Sequence, residues 1–522
     1  MTLSPTSTLA AALCVVVLLA IRSVYARLSW GARSRGRPLP PGPKPLPVLG
    51  NLLDIPKSIP WEAYRDLSSR YGDILFFRML GQSLMVLGSA KAVFELLDKR
   101  SANYSDRPQS PMFDLIGWEF DFGFMPYGQY WRRHRRLFWQ HFHPGVISKY
   151  NAVQQEVSRA FLSKLLTSPG RLEEHIRHTF ATSVLKVVYG IDIAERGDKL
   201  IEIIEVAMEG VAEGLTPGAF LVEYLPFLRH VPAWLPGAGF QTRLKRWRDA
   251  SHAMVDLPFA QAKANIKDGC PPPSVVDSIL ARFTQSDEPP ISDEEQIAKN
   301  VAAIAYAGGA DTTISTFQTF FLAMSLHPEV RTKAQAELHA VVGPNRLPEH
   351  SDRNECPYIE AIIKECLRWQ NATPMGIPHA VMEDDEYEGY FIPAGTVVFA
   401  NVWAVLHDPE AYPEPECFRP ERFLKDGKLN PDVRDPGTAA FGFGRRICPG
   451  RFFAEAALFI NIARVLHVFD IGPPLDEHGE VIQVEPKMKD GILSYPEDCR
   501  CTIKPRFAQA ESLIIRHGER DD

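Results

Sequence analysis

The feature that most constrains this chain is a run from Ser292 to Leu326 that reads as one uninterrupted helix. Ser292 stands where an N-cap belongs, with Glu295 three residues on to complete a capping box, and the run stops at His327-Pro328, where proline forbids continuation. Roughly 35 residues make a helix on the order of 50 Å long, enough to cross a whole domain. Other helices must therefore pack around it. Its middle carries "AYAGGADTTIS", although each of Gly308 and Gly309 costs about 1 kcal/mol relative to alanine. A notch free of side chains would let a small molecule lie against the backbone, with Asp311 and Thr312 beside it. Close helix packing would explain the glycines but not the acid and hydroxyl.

The pattern stays mainly helical from Trp61 to about Gln370, with short strands expected within residues 386–404 and 500–505 and a polar surface tail over 509–522. This is a mainly α chain with small β-sheets. Its 522 residues, 45% of them hydrophobic, suffice for a large buried core, and 43 prolines imply many irregular connections. A net charge of −7 gives no global attraction to nucleic acid. The eight cysteines include no CxxC pair, which indicates a reducing compartment and mostly buried, inert thiols.

Leu9 to Ile21 is an apolar run, and Arg22, Arg27, Arg33, Arg35 and Arg37 all follow it. Positive charge after the run, rather than before it, places the remaining chain on the cytosolic side of a single N-terminal anchor, residues 1–24, instead of marking a cleaved signal. Thirteen strictly apolar residues fall short of the roughly 20 that span a bilayer, so the span must recruit weakly polar neighbours. Residues 25–50 form a basic hinge with six prolines between Pro38 and Pro47, stiff and extended. The main domain is assigned to 51–508.

Several constellations could carry chemistry. In "KECLRW", Glu365 and Arg368 share a helical face, and Arg422 in "CFRPERF" could complete a buried Arg-Glu-Arg network, a scaffold rather than a reacting site. "WRRHRRLFWQ" sets Trp131 and Arg135 one helical turn apart, suited to an anionic cofactor. "FGFGRRICPG" ends in a helix start at Pro449, so Cys448 would sit among free N–H groups that favour thiolate. Neither a nearby base for nucleophilic catalysis nor further zinc ligands cluster around it. A zinc hydrolase built on His175 and His178 of "EEHIRH" lacks the His-Glu-x-x-His order.

These stretches carry a resemblance. "FGFGRRICPG" resembles the haem-binding loop of the cytochrome P450 family, Phe-x-x-Gly-x-Arg-x-Cys-x-Gly, at every fixed position. "GGADTT" is similar to the family's oxygen-activating helix motif, "ECLR" to its Glu-x-x-Arg, "FRPERF" to its partner arginine segment and "WRRHR" to its Trp-x-x-x-Arg. Their order and spacing fit along essentially the whole chain. The stretch from "GIPHAV" to "FRPERF" looks most like fungal, membrane-anchored members that tailor secondary metabolites.

The resemblance implies a triangular helical prism with haem b held between the long central helix and the cysteine loop. Cys448 would be the axial thiolate, with Phe441 packed against the proximal haem face to shield the sulfur and Gly444 in the turn beneath it. Trp131, Arg135, His379 and Arg446 would hold the propionates, while Asp311 and Thr312 would deliver protons during oxygen activation. Glu365, Arg368 and Arg422 would form the structural triad. The chain has no flavin or nicotinamide fingerprint, since Gly442-x-Gly444 meets Ile447 where a third glycine belongs. Electrons would come from a separate NADPH-cytochrome reductase, with cytochrome b5 as a further donor, docking near Arg132, Arg133, Arg136 and Arg451 in the endoplasmic reticulum membrane. The apolar segments 110–128 and 208–228 would line the distal pocket and its access channel. A terpenoid or polyketide intermediate is the first substrate class, and a fatty acid or xenobiotic the second. Haem-thiolate isomerases lack the acid and threonine of the central helix, and a mere haem carrier would not need them. The sequons at Asn103 and Asn371 are expected to stay unmodified on the cytosolic side.

Overall fold

The computed structural model describes residues 29–79, 81–194, 197–215, 219–223, 225–269, 273–285 and 293–516. The expected anchor over 1–24, the cap at Ser292 and the last six residues of the tail lie outside them. Among the described residues no helix is long and apolar enough to cross a membrane.

Nine helices position the site: α1 Gln129–Phe142, α2 Asn151–Thr167, α3 Leu172–Tyr189, α4 Lys199–Gly214, α5 Phe240–Lys267, α6 Glu294–Leu326, α7 Pro357–Trp369, α8 Arg451–Val468 and α9 Ala508–Arg516. The expected long helix is α6, with 33 residues and burial on nearly every face, as a helix surrounded by others must have. It packs against α1, α3, α5, α7 and α8. Phe317, Phe320 and Phe321 on α6 meet Phe161 of α2 and Phe180 of α3 as an aromatic wedge. Within the described residues Asp293 is the N-cap and its side chain makes no cap bond. That carboxylate pairs instead with Arg133 of α1 at 2.5 Å, an ion pair between two helices.

One four-stranded sheet matters for the site: β1 Ile74–Met79, β2 Gln82–Leu87, β3 His379–Ala380 and β4 Val397–Ala400, in spatial order β1-β2-β4-β3. β2 and β4 run parallel with Leu84 opposite Val397, and β3 pairs antiparallel with β4, His379 opposite Val398. The β1-β2 hairpin departs from the helical reading of this region. Four consecutive residues of each strand are buried, so the run lacks the alternation by which a half-exposed strand is recognised.

Two further boundaries changed. Segment 509–522 is not wholly a polar surface tail: in α9, Ala510, Leu513 and Ile514 are buried against the core, one helical face at i, i+3 and i+4. The proline-rich stretch lies along the domain, with the Pro41 carbonyl accepting from Phe76 N and the Pro38 carbonyl from Phe391 N, both at 2.8 Å.

The Arg-Glu-Arg network forms as expected. Arg368 Nε and Nη2 donate to Glu365 at 2.7 and 2.9 Å, Arg422 Nε donates at 3.1 Å, and the Arg419 backbone N–H adds a bond at 2.7 Å. Further guanidinium N–H groups reach the carbonyls of Leu406, Pro413, Glu414 and Cys417. Glu365 and Arg368 are completely buried, so this set of bonds is what makes three charges tolerable there.

Candidate active site

The loop from Phe441 to Gly450 turns twice on left-handed glycines, Gly442 at φ +78° and Gly444 at φ +54°. Cys448 N donates to the Phe441 carbonyl at 2.8 Å, which closes the loop and fixes the cysteine at its end. α8 begins three residues later, and the backbone N–H groups of Gly450 and Arg451 point at the Cys448 sulfur. Burial pushes the thiol up, while those N–H groups, Arg135 and Arg451 pull it down. Burial outweighs them in this structure, and a metal ion held by Cys448 would favour the thiolate.

Above the cysteine lies a cavity of about 330 Å³, walled on one side by Phe441, Cys448, Pro449 and Gly450 and on the other by Gly308, Gly309, Asp311 and Thr312 of α6. The two glycines part company here. A β-carbon on Gly308 would meet nothing, because that face opens to the cavity, whereas one on Gly309 would press on Val184 of α3 at 3.2 Å. The notch is therefore Gly308, and Gly309 serves close helix packing. Thr312 Oγ1 donates to the Gly308 carbonyl and Thr313 Oγ1 to the Gly309 carbonyl, both at 3.0 Å, back-bonding that loosens the helix beside the cavity.

Asp311 touches two spaces. It borders the main cavity and a second one of about 400 Å³ that Arg177, Glu205 and Tyr495 also line. Tyr495 donates its hydroxyl to Asp311 Oδ1 at 3.2 Å, and Arg177 stands 3.7 Å from the same oxygen. Burial raises the Asp311 carboxyl above the ordinary range against the pull of Arg177 and Tyr495, which suits a group that must both hold and release a proton.

One edge of the cavity carries guanidinium groups. Arg446, buried, donates to the carbonyls of Ser105, Phe122 and Met125 and lies over the Trp131 ring at 4.5 Å. His379 Nδ1 stands 2.6 Å from the Tyr104 carbonyl. A carbonyl only accepts, so Nδ1 carries the proton, and burial keeps the ring neutral. Holding a carboxylate through Nε2 requires the imidazolium, which the arriving anion itself would favour. Arg135 lies outside the cavity wall: its Nη2 donates to the Ile447 carbonyl at 2.5 Å, binding α1 to the cysteine loop. Trp131 likewise reaches the site only through Arg446.

Sequence reasoning missed Arg107 and Asp121, both lining the cavity. Arg107 Nε donates to Gly123 O, and its Nη1 to the carbonyls of Ile377 and Pro378, which ties the segment after β2 to the approach to β3. Asp121 accepts from Gly123 N at 2.6 Å, and burial lifts it to about 6 against Arg107 and Arg446. Arg107 and Arg446 bring two guanidinium groups to this edge beside the neutral His379, with Asp121 and Asp106 as the carboxylates acting on them. The only local signal was an arginine directly before Pro108.

The residues fit a haem. A slot with a lone, partly buried sulfur on one wall, a side-chain-free notch opposite and guanidinium groups along one edge matches a flat apolar ring with one axial ligand and acidic substituents on one side. Trp118, Phe122 and Phe124 also line the cavity, with Met208 and Val211 of α4. Among the described residues no cluster of three or more His, Cys, Asp or Glu could hold another metal. Of the arginines expected to face a redox partner, Arg132 and Arg136 are exposed, Arg133 is engaged by Asp293, and Arg451 donates to the Cys448 carbonyl at 3.1 Å.

Comparison with known proteins agrees. The family model described as Cytochrome P450 matches residues 40–497. Cytochrome P450 monooxygenase COX2 of Coprinopsis cinerea is 40% identical over 510 residues, covering 98% of this chain and 96% of the relative. Cytochrome P450 monooxygenase ple1 of Rhodocybe pseudopiperita is 42% identical over 91% of each chain. Tryptamine 4-monooxygenase of Psilocybe cyanescens is 39% identical over 95% of this chain and 97% of its own.

Proposed function

The chain belongs to the cytochrome P450 family, and from that premise we propose that it oxidises a lipophilic small molecule, first of all a terpenoid or polyketide intermediate of fungal secondary metabolism. It is a haem-dependent monooxygenase with a cysteine thiolate ligand, and its electrons come from NADPH through a separate reductase. The observation that carries the substrate class is the cavity wall, where Trp118, Phe122, Phe124, Met208, Val211 and Ile304 offer apolar surface and few hydrogen-bonding groups. Such a wall binds by burying apolar area and orients the substrate by shape.

Haem, held by Cys448, supplies the oxygen chemistry; the side chains supply position and protons. Arg107, Arg446 and His379 orient the cofactor by its acidic edge. The aromatic wall excludes water from the reacting carbon. Asp311 holds a proton beside Tyr495 and passes it toward the cavity, and the Thr312 hydroxyl turns from the Gly308 carbonyl to complete the path. The second cavity gives Asp311 a route for resupply that leaves the substrate pocket undisturbed.

Replacing Thr312 by alanine should leave haem content unchanged while the yield of product per NADPH falls about tenfold or more and hydrogen peroxide rises, the size of effect expected for a lost proton-transfer group. Coupling equal to wild type would remove Thr312 from the path.

Association with a membrane belongs to the same reading. Support comes from the apolar run at Leu9–Ile21 and from the exposed Leu221, Phe227 and Trp234. The substrate class is tested by spin-state titration of the purified haem protein with terpenoids, polyketides, fatty acids and tryptamine. The proposal expects the tightest spin shift from a terpenoid or polyketide. A shift with tryptamine alone would favour an indole-amine substrate, the reading that the tryptamine-oxidising relative supports.

A further inference from the structure

The segment between β2 and α1 does more than connect. A short helix, Ala90–Val93, capped by Ser89, runs directly into a six-residue π-helical turn, Phe94–Lys99. A π turn inserts a residue into the helical repeat and so re-aims the side chains that follow, and such turns recur at functional sites. Here Asp98 is the residue re-aimed. Its carboxylate accepts a hydrogen bond from the backbone N–H of Gly444, 346 residues away in the sequence. Phe94, one turn earlier, packs edge-on against Phe443 with ring centroids 5.8 Å apart.

Gly444 is where the cysteine loop comes up against the π turn. It is left-handed at φ +54°, and a β-carbon there would stand 2.2 Å from the Leu97 carbonyl oxygen, so the loop backbone lies directly on the π turn. The Gly444 carbonyl in turn accepts from Ile447 N at 3.3 Å, one residue before Cys448. Both ends of this glycine are thus held, one by Asp98 and one by the residue preceding the sulfur. The stretch just beyond the π turn also holds the guanidinium edge of the cavity, because Tyr104 and Ser105 supply the carbonyls that engage His379 and Arg446.

We propose that Asp98 is a positioning residue for the cysteine loop: by accepting the Gly444 N–H it fixes the left-handed turn and thereby the direction in which the Cys448 sulfur meets the haem. Its role is that of an acceptor in a set place, so asparagine, which keeps a carbonyl oxygen there, can serve. This inference rests on Cys448 being the axial ligand, and the wild-type spectrum tests that premise separately.

The experiment uses the purified haem-loaded protein and its Asp98→Ala, Asp98→Asn and Arg100→Ala variants. Arg100 lies next to the π turn and donates to Asp385 and the Glu386 carbonyl without touching the loop, so its loss weakens the same segment from the other side. Two readouts are followed: the share of thiolate-type Soret absorbance in the carbon monoxide complex of the reduced protein, and the rate of haem transfer to apomyoglobin. In D98A the thiolate-type share should fall and haem loss should rise about tenfold, the change expected when one hydrogen bond to a backbone N–H is removed. D98N and R100A should stay at wild-type values in both. A D98A protein that matches wild type overturns the proposal, as does an R100A protein that loses thiolate character equally, or a D98N protein that fails as D98A does. A wild-type protein without the thiolate-type band would instead sink the ligand assignment itself.

Discussion

The Cys448→Ser protein should fold, retain its helical content and show neither the thiolate-type spectrum nor reductase-supported turnover above background. Serine preserves volume, and the bond from residue 448 N to the Phe441 carbonyl at 2.8 Å involves backbone alone, so the loop has no reason to collapse. What changes is the ligand atom. A thiol caged by burial but faced by the N–H groups of Gly450 and Arg451 gives up its proton to a metal readily, whereas an alcohol holds its proton far more tightly and offers a hard oxygen in place of a soft, electron-rich sulfur. Circular dichroism, haem content and the carbon monoxide spectrum together separate loss of the ligand from loss of the fold. A C448S protein that still oxidises substrate with a thiolate-type spectrum would show that another cysteine holds the iron.

Glu365→Ala should have the opposite character: the fold fails first. Removing this carboxylate leaves Arg368, fully buried, and Arg422 without counter-charge, a situation that costs about 3–5 kcal/mol. Set against a total stability of about 5–15 kcal/mol, that loss should abolish most soluble haem-loaded protein or lower its melting temperature by many degrees. Glu365→Gln keeps acceptors for some of the bonds but not the charge, and should fall between. Thermal unfolding with soluble yield checks the series. An E365A protein that melts with wild type would mean that the three charges are relaxed by water, and the scaffold role would fall.

What could be read from the chain, and what could not, follows from the range of the interactions. The central helix and the cysteine loop were legible because their chemistry is local: a long apolar repeat around a glycine notch, and left-handed glycines before a helix start. Glu365 and Arg368 were legible as an i, i+3 pair with Arg422 as a third, buried member, yet the backbone carbonyls that complete the network came only with the fold. Arg107 and Asp98 stayed hidden because their meaning lies in partners hundreds of residues away, the carbonyls of Ile377 and Pro378 and the N–H of Gly444. The β1-β2 hairpin was misread because two-sided burial erased its alternation, and α9 because its three buried residues were outnumbered by polar neighbours. Gly308 and Gly309, identical in sequence terms, were separated only by what a side chain would meet at each.

The central claim is that Cys448 carries haem iron as a thiolate beneath the helix bearing Asp311 and Thr312. The carbon monoxide difference spectrum of the reduced, haem-loaded wild-type protein tests it most directly. A thiolate-type Soret band is the result expected; folded, haem-replete protein showing only the band typical of an imidazole-ligated haem would contradict it.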